Sequence, residues 1–557
     1  MRKEMSSTPI LFFIRRGCVA WLIGRMRARL SPLLIRSGWI TNPAILATES
    51  VAKAITSAVV VAPMAALLVL LVTPWAALLA FTPFVILLMP ELGLRDRIAQ
   101  RREGVERELP FFSVVVNVLA GAGIPLYSIL RDMATSELFT SIKREALLVR
   151  RDVTIFGMNP NDSIEMLASN HPSSRFADFL LGYTSKARSG GDVALYLSSE
   201  SGSLLRGLED GWARYVSRVG IVGSIMITAF GVVPLLLTVV GVFSPSFSAA
   251  SLLLFTLLVV PLVATAILFM VGRMQPVRED PIRGRAGMST MASLLGALAA
   301  AFLGGIWASV GAASLIFCVA YGLSVREQIA ETKAIEEGLA RFLKDLLEYK
   351  RQDYDLTRAV IAMQIGTRYN PRFDWLLSCV ASQLKAGVPL EGVRVECRSR
   401  LGKLAFHLLG QMSRSGGGTV DTVYQISNFT DRMTEMKKSA AAEIRPYVIL
   451  SYISPLLLAF GITFVGSVVS PFNRATRPDF AGFGISVQGG APQVPLGQIS
   501  DLLIVVSAAA LGLISAKITD FTVKNTLKAS LNVALAIAAV VATSTVGSHS
   551  LLQSLGF

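Results

Sequence analysis

Arg188-Ser189-Gly190-Gly191-Asp192, preceded by Leu180-Leu181-Gly182 and followed by Tyr196, places two glycines behind an arginine and a serine. Successive backbone amides turned by glycine can form a nest that holds a phosphate. The same glycines can instead end a helix, because glycine enters the left-handed region without a Cβ penalty. The helix-end reading is the stronger. No Gly-Lys-Ser/Thr follows, and no G-x-x-x-x-G-K-[ST] stretch occurs in the chain, so no nucleotide site or other cofactor is expected. The three histidines, His171, His407 and His549, have no ligand spacing, and the four cysteines, Cys18, Cys318, Cys379 and Cys397, form no C-x-x-C pair. Free thiols and no metal follow from that. Neither a nucleophile elbow nor an H-E-x-x-H run is present, and no catalytic activity is expected.

The glycine stretch occurs twice. Leu408-Leu409-Gly410, Arg414-Ser415-Gly416-Gly417-Gly418 and Tyr424 repeat it at offsets of 228, 226 and 228 residues. Upstream, Glu106-Arg107-Glu108-Leu109 with Phe112 answers Glu336-Glu337-Gly338-Leu339 with Phe342 at an offset of 230, and Ser163-Ile164-Glu165 answers Pro389-Leu390-Glu391 at 226. A nearly constant offset held across both blocks indicates a tandem pair of related domains.

The elements that must carry these domains are read from apolar patterning. The chain has 557 residues, 52% of them hydrophobic and only 16% charged, with mean hydropathy +0.56, which is the composition of a multi-span membrane protein. Net charge is +15, yet all of the 53 Lys and Arg except Arg474 and Arg477 fall on one side of the assigned spans. The basic surplus is therefore assigned to topology and to anionic lipid, and nucleic acid is not expected as a partner. The fold class expected is an all-α polytopic membrane protein, with about nine transmembrane helices and two homologous cytosolic helical bundles.

In chain order, residues 1–53 form a cytosolic basic arm with an interfacial helix, and 54–90 a transmembrane hairpin kinked at Pro63 and Pro83. Residues 91–218 carry the first bundle: Leu109, Phe112, Val116 and Leu119 recur at helical spacing, and Pro and Gly clusters punctuate the block. Residues 219–323 hold four spans around a basic inside loop, 273–287. Within them, 288–323 is too long for one crossing and is expected to turn back near Gly304-Gly305. Residues 324–445 carry the second bundle, 446–469 a further span, 470–500 an external Gly/Pro-rich loop, 501–546 two more spans and 547–557 an external tail. The N-terminus is then inside and the C-terminus outside. No Asp, Glu, Lys, Arg or His lies in the interior of these spans, which argues against an ion-coupled carrier. A transporter with regulatory cytosolic domains remains the alternative from another functional class. Asn532 is the one strong amide, placed to hydrogen-bond a neighbouring helix.

Each block also carries an Ala-Gly-x-Pro-Leu turn: Ala122-Gly123-Ile124-Pro125-Leu126 in the first, Ala386-Gly387-Val388-Pro389-Leu390 in the second. These do not share the common offset; the slot of the first turn is occupied by Gln352 to Leu356 in the second block. The sequence of charged helix start, Ala-Gly-x-Pro-Leu turn and Ser-Gly-Gly turn before a Tyr-bearing helix resembles the F domain of type II secretion systems. Two such domains separated by four spans look most like archaeal platforms of type IV pilus-like filaments, the archaellum included. The resemblance implies a non-enzymatic anchor in the cell membrane, a cytosolic hexameric secretion ATPase and pilin-like subunits as partners, and a homo-oligomer. The structural turns would be Gly123, Pro125, Gly190, Gly191, Gly387, Pro389, Gly416 and Gly417. Candidate ATPase-facing residues are Lys143, Arg144, Arg150 and Arg151 in the first block, and Arg341, Lys344, Lys350 and Arg351 in the second.

Overall fold

The computed structural model describes residues 17–39, 41–71, 81–243, 249–277, 284, 286–415, 418–475 and 496–545. Every regular element among them is helical. Contacts group the chain into two compact units, 1–204 and 205–557. The expected turns at Gly416 and Gly417, the loop arginines of 278–283 and Arg285, most of the 470–500 loop, and the 547–557 tail lie outside the described residues.

The first unit begins with α1 (Gly17–Ser37), α2 (Pro43–Leu71) and α3 (Thr82–Gly121). Asn42 caps α2, accepting from the Ala44 N–H at 3.0 Å, and Pro43 sits where the missing N–H costs nothing. The apolar helix therefore starts at Pro43, eleven residues earlier than the expected boundary at 54. Leu30 and Leu34 of α1 are buried against Ala47 of α2 and Leu94 of α3. That face of the N-terminal arm is spent on protein contacts and not on headgroups. Trp21 and Ile35 stay exposed.

The bundle then follows as α4 (Leu126–Met133), α5 (Ser141–Thr154), α6 (Pro160–Asn170), α7 (Ser174–Ser189) and α8 (Val193–Ile227). Its starts are written in local chemistry. Asn159 accepts from Asn161 N–H with Pro160 at the first helical position, and Ser173 accepts from Phe176 N–H. Phe112 at the centre is fully buried and meets Phe139 edge-on at 6.2 Å between ring centroids.

In the second unit, α8 passes through a π turn at Thr228–Val232 into α9 (Val233–Phe243). α10 (Ala249–Leu254) passes through another π turn, Phe255–Val259, into α11 (Val260–Met274). Each π turn comes just before a proline, Pro234 or Pro261, whose missing N–H and ring disturb the regular ladder. Then come α12 (Ala286–Arg351), α13 (Leu356–Gly366), α14 (Pro371–Lys385), a one-turn 3₁₀ helix (Leu390–Gly392), α15 (Arg400–Arg414), α16 (Val420–Ala475), α17 (Leu496–Thr519) and α18 (Leu527–Thr545).

Backbone is helical throughout α12, yet the chain doubles back inside it. A Cβ on Gly296 would come within 2.0 Å of Ile316 Cδ1, and one on Gly284 within 2.4 Å of Tyr321 Cε2. In a straight helix residues 296 and 316 would stand about 30 Å apart. The reversal therefore falls between 296 and 316, the interval that contains Gly304-Gly305.

Six helices among the described residues are long and apolar enough to cross a membrane: Pro43–Ala65, Val193–Val240, Ala250–Met274, Ile306–Arg351, Val420–Val465 and Gly497–Thr519. Ala286–Ala301 and Leu527–Thr543 are shorter apolar helices. Their outer faces carry exposed Val59, Leu257, Leu262, Phe269, Leu294 and Leu298. Apolar surface on that scale is what a lipid-facing helix presents. This is a multi-pass membrane protein built of α-helices.

Candidate functional site: two helical repeats and their exit helices

The two blocks correspond helix by helix. α3, α4, α5, α7 and α8 of the first match the end of α12, α13, α14, α15 and α16 of the second. The match is exact in register through α5 and α14, which start at Ser141 and Pro371, 230 residues apart. α6, with 11 residues, is replaced by the three-residue 3₁₀ turn Leu390–Gly392. α7 and α15 then start at Ser174 and Arg400, an offset of 226. The change of offset from 230 to 226 is thus a loss of about one helical turn in one helix.

Left-handed residues hold the same slots. Gly123 (φ 82°) corresponds to Asp353 (φ 60°), and Gly157 (φ 68°) to Gly387 (φ 87°), each 230 apart; Gly190 (φ 68°) corresponds to Gly418 (φ 63°), 228 apart. The two Ala-Gly-x-Pro-Leu sequences therefore occupy different turns: the first joins α3 to α4, the second joins α14 to the 3₁₀ helix. At Gly190 the Gly191 N–H is already bonded to the Lys186 carbonyl at 3.0 Å, so the turn caps α7. In the second block Gly418, the third glycine of the run, is left-handed among the described residues.

Side chains repeat as well. Ser173 Oγ donates to Glu106 Oε1 at 3.0 Å, and Ser399 Oγ to Glu336 Oε1 at 3.4 Å. Phe342 meets Tyr369 edge-on at 6.1 Å, as Phe112 meets Phe139. The tyrosines of the repeated motif diverge, however. Tyr196 lies over Gly182 and its hydroxyl donates to the Phe179 carbonyl at 3.2 Å. Tyr424 is 50% exposed, and Gly410 is small because the backbone at Leu390 and Glu391 crosses it.

The buried charges differ too. In the first block Arg101 donates to Glu145 through Nε at 2.8 Å and through Nη2, and His171 Nε2 stands 3.8 Å from the same carboxylate. Burial alone would raise the Glu145 carboxyl, but Arg101 and His171 outweigh it and hold it below the usual carboxylate range. At the matching positions the second block has Glu331, Trp375 and Cys397. There Glu331 pairs with Arg398, and Glu336 receives Lys437 Nζ at 2.7 Å.

A groove of about 750 Å³ opens in the second block between α12, α14 and the 396–398 loop, lined by Leu323, Glu327, Glu331, Trp375, Glu396 and Arg398 among others. In the first block α1 and the turn after it pack against the matching stretch of α3. Arg101 Nη1 donates to the Arg36 carbonyl at the end of α1 at 2.7 Å, Arg97 lies 4.0 Å over the Trp39 ring, and Leu94 is buried under Leu30 and Leu34.

The basic residues singled out from sequence do not fall on one repeated face. Lys143, Arg144, Arg150 and Arg151 lie on α5, while Arg341, Lys344, Lys350 and Arg351 lie on the last turns of α12. Arg151 is held by Asp152 at 2.6 Å, Lys344 by Asp431 at 2.9 Å and Arg351 by Glu348 at 2.9 Å. Arg144 and Arg341 are exposed.

The two exit helices lie side by side in parallel. Arg432 Nη1 pairs with Glu209 at 3.0 Å, Tyr447 covers Gly220 and Gly223, Ser454 meets Gly231, and Leu235 meets Gly461. These partners differ by 223 to 227 residues, close to the repeat offset, so equivalent helices pack at equivalent heights. Small residues let the backbones approach closely. Asn532 is fully buried in the span bundle, and with its amide oriented to satisfy both ends it donates to the Ser451 carbonyl at 2.9 Å and accepts from Gly512 N–H at 3.2 Å.

Residues 112–241 match the family model described as "Type II secretion system (T2SS), protein F". That stretch runs from Phe112 on α3 to the membrane end of the exit helix, so the first repeat is an F domain of that family. Its members are inner-membrane platforms of secretion and pilus systems. No curated protein and no solved structure matches the chain.

Proposed function

We propose that this chain, whose first repeat is a type II secretion F domain, is a platform that anchors a cytosolic hexameric ATPase and passes its motion to pilin-like subunits in the membrane, in an archaeal type IV pilus-like system. The carrying observation is the pair of exit helices. α8 and α16 each run without a loop from an F-type bundle into an apolar span, and they pack on each other in parallel at matching heights. α16 alone has 56 residues, about 84 Å at 1.5 Å per residue. A displacement applied to a bundle is carried down such a helix as a rigid-body shift, with no chemistry needed in the platform itself. The reading places both bundles inside with nine crossings. The reversal within α12 supports it, because it restores the even number of crossings required between them.

The test is reconstitution. Full-length protein in lipid nanodiscs should co-purify with a hexameric secretion ATPase from the same organism. Charge reversal at Arg144 with Arg150, or at Arg341 with Lys350, should weaken that capture. Failure to bind the ATPase under conditions where it forms hexamers would overturn the reading.

A further inference from the structure

We infer that the groove of the second repeat is a docking site for a basic amphipathic helix of a partner protein. The first repeat shows what the slot is for. There α1 buries Leu94 and accepts from Arg101, and the turn after it stacks Trp39 on Arg97, which stays exposed; those positions correspond at an offset of 230 to Ser324, Glu327 and Glu331. In the second repeat Trp375 is 62% exposed, where its counterpart Glu145 is buried. A large aromatic beside apolar Leu323 and Ile335, rimmed by charge, is the composition of an anchor pocket for a helix.

The charge of the slot is inverted between the repeats, and that fixes the occupant. In the first, two arginines receive the C-terminal end of α1, whose last carbonyls carry the negative end of the helix dipole. In the second, carboxylates stand in the same places. Glu331 is neutralised by Arg398, and Arg372 is spent on the Glu327 carbonyl at 2.6 Å. The Glu327 and Glu396 carboxylates, which also line the groove, have no ion pair among the described residues. The groove therefore suits a helix bringing Lys or Arg, or its own positive N-terminus. It disfavours anionic headgroups and a second copy's α1 in the orientation seen in the first repeat. This inference does not depend on the ATPase reading, whose basic faces lie elsewhere on the domain.

The experiment places benzoylphenylalanine at position 375 of the full chain in neutral-lipid nanodiscs and measures photo-adducts with two biotinylated probes. One is a 14-residue Leu/Lys amphipathic peptide and the other its Leu/Glu counterpart. The Leu/Lys adduct should exceed the Leu/Glu adduct at least tenfold, and Glu327→Lys with Glu396→Lys should remove the difference. The same photoprobe at exposed Ile365 reports adducts that come only from peptide held at the lipid surface. Equal yields from the two peptides at 375, or a preference that survives the charge reversal or recurs at 365, would overturn the inference. In whole cells, an adduct at 375 that maps to a Lys/Arg-bearing helix of another protein supports it. An adduct with lipid or with a second copy of this chain overturns it.

Discussion

The two repeats share a frame and differ in what closes it. Both keep the Glu–Ser tie from the leading helix to the cap of the fourth bundle helix, Glu106 to Ser173 and Glu336 to Ser399. The edge-on aromatic pair and three left-handed turns are also common to both. The first repeat is closed by α1 and by a buried Arg101–Glu145 pair; the second leaves that side open, loses most of one helix and places Trp375 at the surface. Paired turns and caps fix how successive helices meet, so they tolerate little change. The side of the bundle that a neighbour covers is free to diverge once the neighbour changes. One repeat reads as self-contained, the other as built to receive something.

The sharpest way to break that comparison is the buried pair. Glu145→Gln leaves the Arg101 guanidinium, only 12% exposed, without its counter-charge. Removing one partner of a buried pair costs about 3–5 kcal/mol, and the amide's remaining hydrogen bond places this change near the lower end. Hydrogen exchange on the full chain should show protection lost in 101–190 while 331–415 is unmoved. Acid should act in the same direction. The Glu145 carboxyl is held below the usual carboxylate range, so its stabilisation is present above that range and is lost as pH falls through the lower folded-state value. The first repeat should loosen in that acid window; equal loosening of both repeats would place the acid sensitivity elsewhere.

A smaller effect distinguishes the two Gly-Gly turns. Gly190 is left-handed with open space where a Cβ would go, so Gly190→Val costs backbone strain alone, about 1–2 kcal/mol. At Gly418 a Cβ would also meet Met412 Cε at 2.4 Å and Thr422 Oγ1 at 3.0 Å. Gly418→Val should therefore destabilise more than Gly190→Val. Both should leave membrane levels normal, because insertion depends on apolar length. Immunoblots of membranes and proteolysis rates of each repeat measure the two arms; equal proteolysis of the two variants would remove steric crowding from the account.

Much of this frame was legible in the sequence. Apolar length gave a helical multi-pass membrane protein, the duplicated Leu-Leu-Gly and Ser-Gly-Gly runs gave the repeat, and the excess length of 288–323 required a reversal. Gly190 could be read as a helix end because only its backbone conformation is at stake. What stayed hidden depends on register. Ala-Gly-x-Pro-Leu looks like one motif, but with Asp353 holding a glycine's slot its two occurrences serve different turns. The Arg101–Glu145–His171 cluster joins residues as far as 70 apart in sequence, and no local spacing announces it. The divergence of Tyr196 from Tyr424 depends on whether a ring or a backbone strand of the 3₁₀ turn crosses the preceding glycine. Identical letters cannot show that.

The smallest effect tests the register itself. Asp353 adopts φ 60° at the slot where the first repeat has Gly123 at φ 82°. Aspartate tolerates the left-handed region better than most residues, though it still carries part of the roughly 1 kcal/mol penalty that a Cβ imposes there. No side-chain hydrogen bond or ion pair of Asp353 is seen among the described residues to offset that penalty. Asp353→Gly should thus stabilise the α12–α13 turn by a few tenths of a kcal/mol, less than the full penalty because glycine also gains freedom in the unfolded chain. Gly123→Asp should do the reverse in the first repeat: the space around Gly123 is open, so strain is the whole cost. Urea titrations of the full chain, followed by hydrogen exchange at each turn, would show opposite shifts of similar size if the two positions are one slot. Shifts of the same sign would mean that the 230-residue register fails at this turn, and that the second repeat starts its bundle in its own way.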